Sequence, residues 1–287
     1  MKFGIIAELA PRYRVKALCQ QLQVSRSGYY AWCQRSPSRR QQENERLIAT
    51  VSAVHTQSRE TYGYRRVHAA LVAQDVRCGI QRVRRLMQQY GLRAKQKPRY
   101  RTTTQSRHRL PIAPNWLARD FSADAANQKW VSDITFVPTH EGWLYLCVIM
   151  DLFSRLVIGW AMEDYLHREL GLKALRMALL RRQPPPGLLH HSDQGIQYAN
   201  NQYQQLLTSQ AALASMSRKG NVYDNAPMES FFATLKRELI HFHTYRTRAE
   251  ARLDIFEFIE VFYNQQRLHS ALQYRSPAAF EKLRYAP

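Results

Sequence analysis

Three β-rich segments follow one another over residues 128–162, and they constrain the fold of this chain more than any other feature. The segments run over 128–139, 142–151 and 155–162. Turn signals at His140-Glu141-Gly142 and at Ser154 separate them, and strands joined by such short turns pair as antiparallel hairpins. The chain therefore contains a β-sheet that begins with hairpins.

Helical and strand patterns alternate after these segments. Asp224 or Asn225 is the expected cap of one helix, because Pro227 falls in its first turn. An alternation of helices and strands behind hairpins predicts an α/β layer with a mixed sheet. The expected elements are a helix at about 167–182, a strand in "GLLHHSD", a helix near 200–210, a strand at Leu213–Met216, a helix from about Ala226 and a helix at about 247–264.

The first 92 residues have helical periodicity instead. Residues 14–35 predict two helices around a Val-Ser-Arg-Ser turn, with Ser25 or Ser27 as a cap. Residues 62–92 repeat the pattern, and Gly91 ends the second helix. This is helix-turn-helix spacing, although any helical hairpin has a similar pattern. A polar linker, 36–44, separates the two units.

The basic charge is concentrated in the same region. The net charge is +20, and residues 1–120 hold 24 Lys and Arg against six Asp and Glu, whereas residues 121–287 hold 18 against 16. Such segregation indicates a polyanionic partner, either nucleic acid or an anionic membrane surface. We predict a helical DNA-binding region over 1–92 and a basic linker over 93–120 that follows a phosphate backbone. The arginines assigned to DNA are Arg65, Arg66, Arg82, Arg84 and Arg85.

Membrane insertion and disulfide chemistry are disfavoured. The longest apolar run, from Trp143 to Met150, is too short to cross a bilayer. The four cysteines form no Cys-x-x-Cys pair, so we expect reduced, buried side chains.

Three acidic residues occupy unusual positions for their type. Asp133 lies inside the apolar strand "WVSDITFV", Asp193 directly follows an apolar strand, and Glu229 lies on the helix after Pro227. A turn residue or a solvated surface would explain Asp193 or Glu229 alone. Together, the three carboxylates predict an oxygen-only site for two Mg²⁺ ions, with Mn²⁺ as a substitute. Such a pair of ions promotes phosphodiester cleavage and transfer.

Other candidate ligands are weaker. Asp151 ends a strand before a turn, which is an ordinary place for aspartate. His190 and His191 precede Asp193, but no third protein ligand for zinc is evident.

Four motifs, in order, resemble those of a known family. They are "WVSDITF", "HSDQGIQY", "SRKGNVYDNAPMESFFATLKREL" and "YNQQRLHSALQYRSPAAF". They are similar to the motifs of bacterial insertion-sequence transposases of family three, second reading frame, within the DDE superfamily that includes retroviral integrases. The spacing agrees, with 59 residues between Asp133 and Asp193 and 35 between Asp193 and Glu229. The His-His-Cys-Cys zinc domain of retroviral integrases is missing, so the N-terminal half is expected to fold without metal.

The resemblance implies an RNase-H-like catalytic core over 121–287, with Asp133, Asp193 and Glu229 as the metal-binding triad. It also implies that Lys236, seven residues after Glu229, contacts the transposon end; we assign Arg218 and Lys219 of the preceding loop to the DNA backbone. We assign accessory roles near the active site to His191 and to the last of the four motifs, which we call the late motif. Helix packing would explain the late motif equally well. The residues of that motif are Tyr263, Asn264, Arg267 and His269.

The expected function is therefore Mg²⁺-dependent cleavage of DNA 3′ ends and strand transfer by a DDE transposase. The expected partners are double-stranded DNA of the transposon ends and target, further copies of the chain, and the first-reading-frame product as fusion or partner. The expected location is the bacterial cytoplasm, at the nucleoid. Two alternatives remain: a catalytically inactive DNA-binding regulator, and an RNase-H-type nuclease.

Overall fold

A five-stranded mixed sheet forms the centre of the structure, a computed structural model that describes residues 2–95, 110–218 and 222–285. The strand order is β3-β2-β1-β4-β5. The first three strands pair antiparallel through hairpins, and β4 and β5 pair in parallel beyond β1. The expected mixed sheet is confirmed. The strands are β1 (Lys129–Thr139), β2 (Gly142–Asp151), β3 (Val157–Glu163), β4 (Leu189–Ser192) and β5 (Leu213–Met216).

Helices cover both faces of this sheet. On one face, Gly159 of β3 lets a helix approach closely, because a Cβ there would collide with the carbonyl oxygen of Ala174. On the other face, β1 and β2 share an apolar cluster with later helices. The helices of this region are α7 (Arg168–Arg182), α8 (Ile196–Ala199), α9 (Asn201–Ser209), α10 (Ala226–Glu238), α11 (Arg248–Glu257) and α12 (Pro277–Tyr285).

The start of α10 agrees with the sequence, but its predicted cap does not. Asn225 occupies the N-cap position without a side-chain cap, and its Nδ2 instead donates to the Ser132 carbonyl at 3.1 Å. Asp224 is fully buried and binds arginines. Tertiary partners thus take both side chains that local sequence assigned to capping.

A π-helix, Phe258–Gln266, continues α11 directly. Such wide turns are rare, and they rotate the following side chains relative to an α-helix. The predicted helix at about 247–264 is therefore correct in extent but not in its last turns. This segment carries Tyr263 and Asn264 into the core, where both are buried.

Within residues 2–95, six helices form the N-terminal part. Both predicted hairpins are present, and the Ser25 hydroxyl caps α3 by accepting from the Gly28 N–H at 3.0 Å. The predicted polar linker 36–44 is wrong from residue 39 onward, because Ser38 caps a long helix there through the Gln41 N–H. The helices are α1 (Lys2–Leu9), α2 (Val15–Gln21), α3 (Arg26–Cys33), α4 (Arg39–Gln57), α5 (Tyr64–Ala73) and α6 (Ile80–Gln89).

The N-terminal helices divide into two packing groups. Helices α1–α3 bury a small cluster around Ile6, Cys19 and Tyr29. Helices α4–α6 share one continuous apolar cluster with β1, β2, α10 and α11. The second helical unit is therefore packed against the sheet region.

The predicted basic linker is only partly described. Residues 96–109 lie outside the described residues. Residues 110–120 dock on β5, where the Trp116 and Leu117 N–H groups donate to the Ser215 Oγ at 3.0 and 3.1 Å. The last part of the predicted linker thus belongs to the packed sheet region.

Two sequence expectations concern the chain as a whole. Within residues 2–95, 110–218 and 222–285, no helix combines the length and apolarity needed to span a bilayer. Cys19, Cys33, Cys78 and Cys147 are free thiols, as expected. The expectation that they are buried is correct for Cys19 and Cys147 and wrong for the half-buried Cys78 and the exposed Cys33.

Candidate active site

The strand register brings Asp133 and Asp193 to the same level of the sheet. Strand β4 pairs in parallel with β1, and Val131 lies opposite His191. Asp133 lies two positions further along β1, and Asp193 directly follows Ser192, the last residue of β4, so the same register continued beyond β4 places the two aspartates level. Neighbouring strands are about 4.8 Å apart, so the fold brings together two carboxylates that are far apart in sequence.

Helix α10 covers the sheet face on which Asp133 lies. Side chains two apart on a strand share a face, so Val131 and Val137 mark the face of Asp133. Both valines are fully buried in the apolar cluster that includes Phe231 of α10. Glu229 lies in the first turn of this helix and is exposed, and partial burial still raises the pKa of its carboxyl.

The three carboxylates interact electrostatically. Burial raises the pKa of Asp133 well above its usual range, and the negative charges of Asp193 and Glu229 raise it further. The Ile134 N–H, 2.8 Å from the Asp133 Oδ1, and the Lys236 ammonium oppose this shift. Asp193 is oriented by the Gly195 N–H, which donates to its Oδ1 at 2.8 Å. Asp133 and Asp193 are half-buried and Glu229 is exposed, and like charges grouped in this way call for a cation.

The donor chemistry of this cluster fits a hard divalent cation. All three side chains offer carboxylate oxygens, which Mg²⁺ prefers. Among the described residues, however, no three His, Cys, Asp or Glu side chains are close enough to hold a metal ion as they stand. The carboxylates are therefore within electrostatic range of one another but short of full convergence, and the exposed Glu229 has the most freedom to move.

Lys236 lies beside the acidic cluster. Its Nζ is 5.5 Å from the centre of the Phe136 ring, and burial lowers the pKa of its ammonium while Asp133 raises it. An apolar cleft of about 390 Å³ opens at Asp193, which lines it together with Phe136, Trp143 and Tyr198 among others. A cation and an apolar surface thus both lie next to the carboxylates.

A buried aspartate that the sequence did not single out for this role anchors the loop before α10. Asp224 accepts from the Arg218 Nε and Nη2 at 3.0 Å each, from the Arg119 Nε at 2.9 Å and from the Asn115 Nδ2 at 3.0 Å. Arg218, above all, holds the pKa of this carboxyl well below its usual range. The predicted DNA contact Arg218 is therefore tethered by Asp224, although its side chain remains 60% exposed. Lys219 lies outside the described residues.

The two histidines before Asp193 are packed into the core. The His191 Nδ1 and Nε2 lie 2.8 and 3.0 Å from the Ser215 and Ser217 hydroxyls, so both ring nitrogens are occupied. Burial lowers the pKa of His191 to about 4 and that of His190 to about 3, so both rings are neutral at pH 7. These contacts favour a structural role for His191 over the predicted accessory one.

The late motif packs against α10 and β3. The Tyr263 ring meets Phe231 edge-on at 4.7 Å. Asn264 exchanges two hydrogen bonds with the Val157 backbone, at 3.0 and 2.9 Å. Arg267 and His269 also bind within the protein: Arg267 makes two hydrogen bonds of 2.7 Å to Glu238, and it lies 3.2 Å from the His269 ring. The sequence left open whether this motif packs the helices or assists the active site, and these contacts favour packing.

Asp151 is also structural. Its carboxylate accepts from the Asn127 N–H at 2.7 Å and the Phe153 N–H at 2.9 Å, and Arg182 lies 3.4 Å away. Burial raises the pKa of Asp151, and these donors oppose the shift. Its interactions hold the end of β2 in place.

The arginines assigned to DNA fall into two groups. Arg66 and Arg82 are half-buried and pair with Glu238 at 3.5 Å and Glu43 at 3.4 Å. The other three are exposed, and none has a carboxylate partner among the described residues. These three are Arg65, Arg84 and Arg85. The guanidinium carbons of Arg65 and Arg84 each lie 5.7 Å from the centre of the Tyr64 ring.

Comparison with known proteins agrees with this architecture. Residues 123–222 and 229–284 match the family described as "Integrase core domain", and residues 42–100 match the "HTH-like domain". Over 265 residues the chain is 48% identical to the "Insertion element IS600 uncharacterized 31 kDa protein" of Shigella sonnei, covering 92% of this chain and 97% of that protein. Over 283 residues it is 41% identical to "Transposase InsF for insertion sequence IS3A" of Escherichia coli (strain K12), covering 98% of each. A chain of the simian T-cell lymphotropic virus intasome, solved with PP2A regulatory subunit B56 gamma, is similar with a TM-score of 0.48 and 17% identity over 76% of this chain and 70% of that one.

Proposed function

The chain belongs to the IS3 family of insertion-sequence transposases, and we propose that it cuts the 3′ ends of its element and joins them to target DNA with Mg²⁺. The observation that carries this proposal is the grouping of Asp133, Asp193 and Glu229, each on a different element, in a protein of net charge +20. Like charges grouped in this way bind cations, and cations allow a polyanionic strand to approach carboxylates.

In the proposed reaction, these three carboxylates would hold two divalent ions, Mg²⁺ or, as a substitute, Mn²⁺. When bound, such ions supply Lewis acidity and neutralise charge at the scissile phosphodiester. Lys236 binds the terminal phosphates beside Asp133. Asp224 keeps Arg218 close to the same strand. The apolar cleft beside Asp193 limits the access of water to one side of the site.

Cleavage and joining of DNA test the proposal directly. We expect the full chain, with Mg²⁺, to nick labelled duplexes at the 3′ ends of the element's terminal repeats and to form strand-transfer products. A duplex with scrambled repeats serves as the control. If the repeats are bound without metal-dependent products, the chain is an inactive regulator; if only the RNA strand of hybrids is cut, it is an RNase-H-type nuclease.

Synapsis of two DNA ends requires at least two copies of the chain, so we propose that it acts as an oligomer on DNA, with the first-reading-frame product as a fusion or partner. Light scattering on the complex with terminal-repeat duplexes measures the copy number. A single copy in a complex that joins strands would contradict the oligomer.

Removing charge from Asp133 is expected to stabilise the metal-free protein. The folded state raises the pKa of Asp133 above its ordinary value of about 3.9. The folded state therefore holds a proton that the unfolded state has lost, and the stability contributed by this group falls as the pH rises between the two pKa values. With EDTA, the melting temperature of Asp133→Asn should exceed that of the wild type at pH 7–8 and fall less as the pH rises from 5.

The same variant tests metal binding. Mg²⁺ should raise the melting temperature of the wild type, because it binds only the folded carboxylate cluster. It should not raise that of Asp133→Asn. An equal Mg²⁺ effect on both proteins would place the metal elsewhere.

Lys236→Ala is expected to affect end cleavage more than general DNA binding. The substitution removes one charged contact beside the scissile bond, which should lower cleavage of terminal repeats by about 10-fold or more. Affinity for arbitrary duplex should change little, because the basic excess lies in residues 1–120. Lys282→Ala, an exposed lysine on α12, is the control. Equal losses on both substrates would make Lys236 a general phosphate contact.

We propose that the second helical hairpin binds duplex DNA through its exposed arginines. Replacing Arg65, Arg84 and Arg85 together by Ala should weaken binding and reduce the slope of log K against log salt by about 2–3, since each neutralised phosphate contributes about 0.9. The control replaces three exposed arginines of the sheet region, Arg168, Arg176 and Arg246. If both triple variants lose affinity alike, the hairpin is not the principal contact.

A further inference from the structure

A cationic cavity of about 420 Å³ lies on a different side of α10 from Glu229, between this helix, residues 61–95 and residues 263–271. Its walls carry more positive than negative charge. The charged side chains that line it are Arg66, Lys95, Arg155, Arg237, Arg267 and Glu238.

The single carboxylate among these is already neutralised. Glu238 binds Arg267 through two bonds of 2.7 Å, and Arg66 lies 3.5 Å from it. Lys95 pairs with Glu60 at 2.8 Å, outside the cavity wall. The Arg237 Nε donates to the Ala233 carbonyl, and Arg237 has no carboxylate partner among the described residues. The cavity therefore keeps an excess of positive charge.

Among these cations, Arg155 has the fewest interactions that compensate its positive charge. Across the described part of the chain, its guanidinium has no hydrogen-bond acceptor and no carboxylate partner, although it is half-buried. Burial lowers its pKa. Positive charge is concentrated around Arg155, as the neighbouring His269 shows. Burial lowers the pKa of His269 to about 3, and the charges of Arg267, Arg66 and Arg155 contribute to this shift.

The backbone of Arg155 is also unfavourable for this residue type. It has a φ of 60° in the turn between β2 and β3, where its N–H donates to the Asp151 carbonyl at 2.8 Å. A left-handed conformation is unfavourable for an ordinary side chain, whereas glycine or asparagine adopts it more readily. Strain and desolvation thus meet at one arginine that faces a cavity, a combination typical of functional positions.

The cavity adjoins the candidate active site along α10. At 100° per residue, Ser230 and Arg237 lie about 80–100° around the helix from Glu229. Both residues line the cavity. A strand whose phosphate lies at Glu229 would therefore pass Ser230 as it enters the cavity.

We propose that this cavity binds a phosphate group of a nucleotide next to the cleavage point on the DNA strand, with Arg155 as its principal ligand and Arg237 and Ser230 beside it. The volume exceeds that of a phosphate and accommodates one nucleotide unit. This inference rests on the proposed function, since it takes the DNA strand at Glu229 as its starting point.

Arg155→Asn is the decisive variant, because it removes the charge while suiting the left-handed backbone. Its melting temperature should equal or exceed that of the wild type, so that losses in DNA assays are not caused by unfolding. Cleavage of terminal repeats should fall at least about 10-fold, as for the loss of one charged contact. The salt slope of binding should fall by about 0.9. Arg168→Asn, at an exposed position on α7, is the control and should change neither quantity.

Uncharged methylphosphonate linkages, placed one at a time in the end duplex, locate the phosphate. One position should weaken wild-type binding but leave Arg155→Asn unaffected. Mononucleotide dAMP and inorganic phosphate form the second arm: if either stabilises the wild type but not Arg155→Asn, while no methylphosphonate position distinguishes the two proteins, the cavity binds a free phosphate ligand and the DNA source is overturned. Wild-type affinity, cleavage and salt slope in Arg155→Asn would overturn the inference itself. Failure of the wild type to cleave would instead refute the proposed function. The methylphosphonate and mononucleotide binding measurements would then still show whether the cavity binds a phosphate group.

Discussion

Asp133→Asn, Asp193→Asn and Glu229→Gln are each expected to lower DNA cleavage by at least ~10²–10³-fold, the loss typical of removing one preorganised electrostatic group. Each substitution keeps the shape of the side chain and removes the negative charge that holds a divalent ion. The affinity for terminal-repeat DNA should stay within about threefold of the wild type, because the basic surface is unchanged. Labelled-strand cleavage and fluorescence anisotropy on the same preparations measure the two quantities.

The matched control for these variants is Asp124→Asn, which removes one exposed carboxylate outside the cluster. It should cleave like the wild type. Retained Mg²⁺-dependent cleavage in any of the three variants would remove that residue from the active site, and a parallel loss of DNA affinity would indicate damage to the fold.

Glu238→Ala is expected to have the largest effect on stability. Arg267 is only 4% exposed, and both of its bonds to Glu238 are 2.7 Å. Removing the carboxylate leaves a buried cation without a partner, which costs about 3–5 kcal/mol. The Arg66 guanidinium loses its partner as well. Urea unfolding followed by circular dichroism measures the change in the free energy of unfolding.

Two comparisons make this stability prediction specific. Glu257→Ala breaks an exposed pair with Arg59 and should cost less than about 1 kcal/mol. The double variant Glu238→Leu with Arg267→Leu should lose less stability than Glu238→Ala, because the buried Arg267 charge is removed with its partner and only the half-buried Arg66 stays without a carboxylate. Similar losses for Glu238→Ala and Glu257→Ala would show that burial of this pair has no energetic consequence.

The sheet could be predicted because its signals are local. Strong apolar patterns and short turns defined β1 and β2, and β5 was predicted with the bounds that the structure has. Strand-borne Asp133 stood out because aspartate is unfavourable inside a strand. Its approach to Asp193 required the order of β1 and β4, which the resemblance implied and the register makes explicit.

Other features depend on long-range contacts that a single sequence does not display. Asp224 was interpreted as a helix cap, yet it binds Arg119, which is 105 residues away. Arg155 was assigned to the start of the third β-rich segment, but it lies in the turn before β3, and its cavity is lined by residues 61–95 and 263–271, which are distant in sequence. Helix α4 was not predicted: the sequence assigned a polar linker to its first residues, 39–44, and no element to the rest. Its first turns are polar, so no apolar stripe identified where it begins.

The π-helix had no signal in the periodicity used for α-helices. Among the site residues, the late motif illustrates the same limit. Its residue types suit catalysis and packing equally, and only the bonds from Asn264 to the Val157 backbone and from Arg267 to Glu238 favour packing.

A change of metal preference tests the central claim most directly. In Asp193→Cys, a soft thiolate replaces a hard carboxylate, and Mn²⁺ tolerates sulfur better than Mg²⁺ does. Cleavage of the terminal repeats by this variant should be lost in Mg²⁺ and restored at least about tenfold in Mn²⁺, whereas Asp193→Asn should stay inactive in both. Cleavage by Asp193→Cys at the wild-type rate in Mg²⁺ would contradict a metal-binding role for Asp193, and with it the proposed active site.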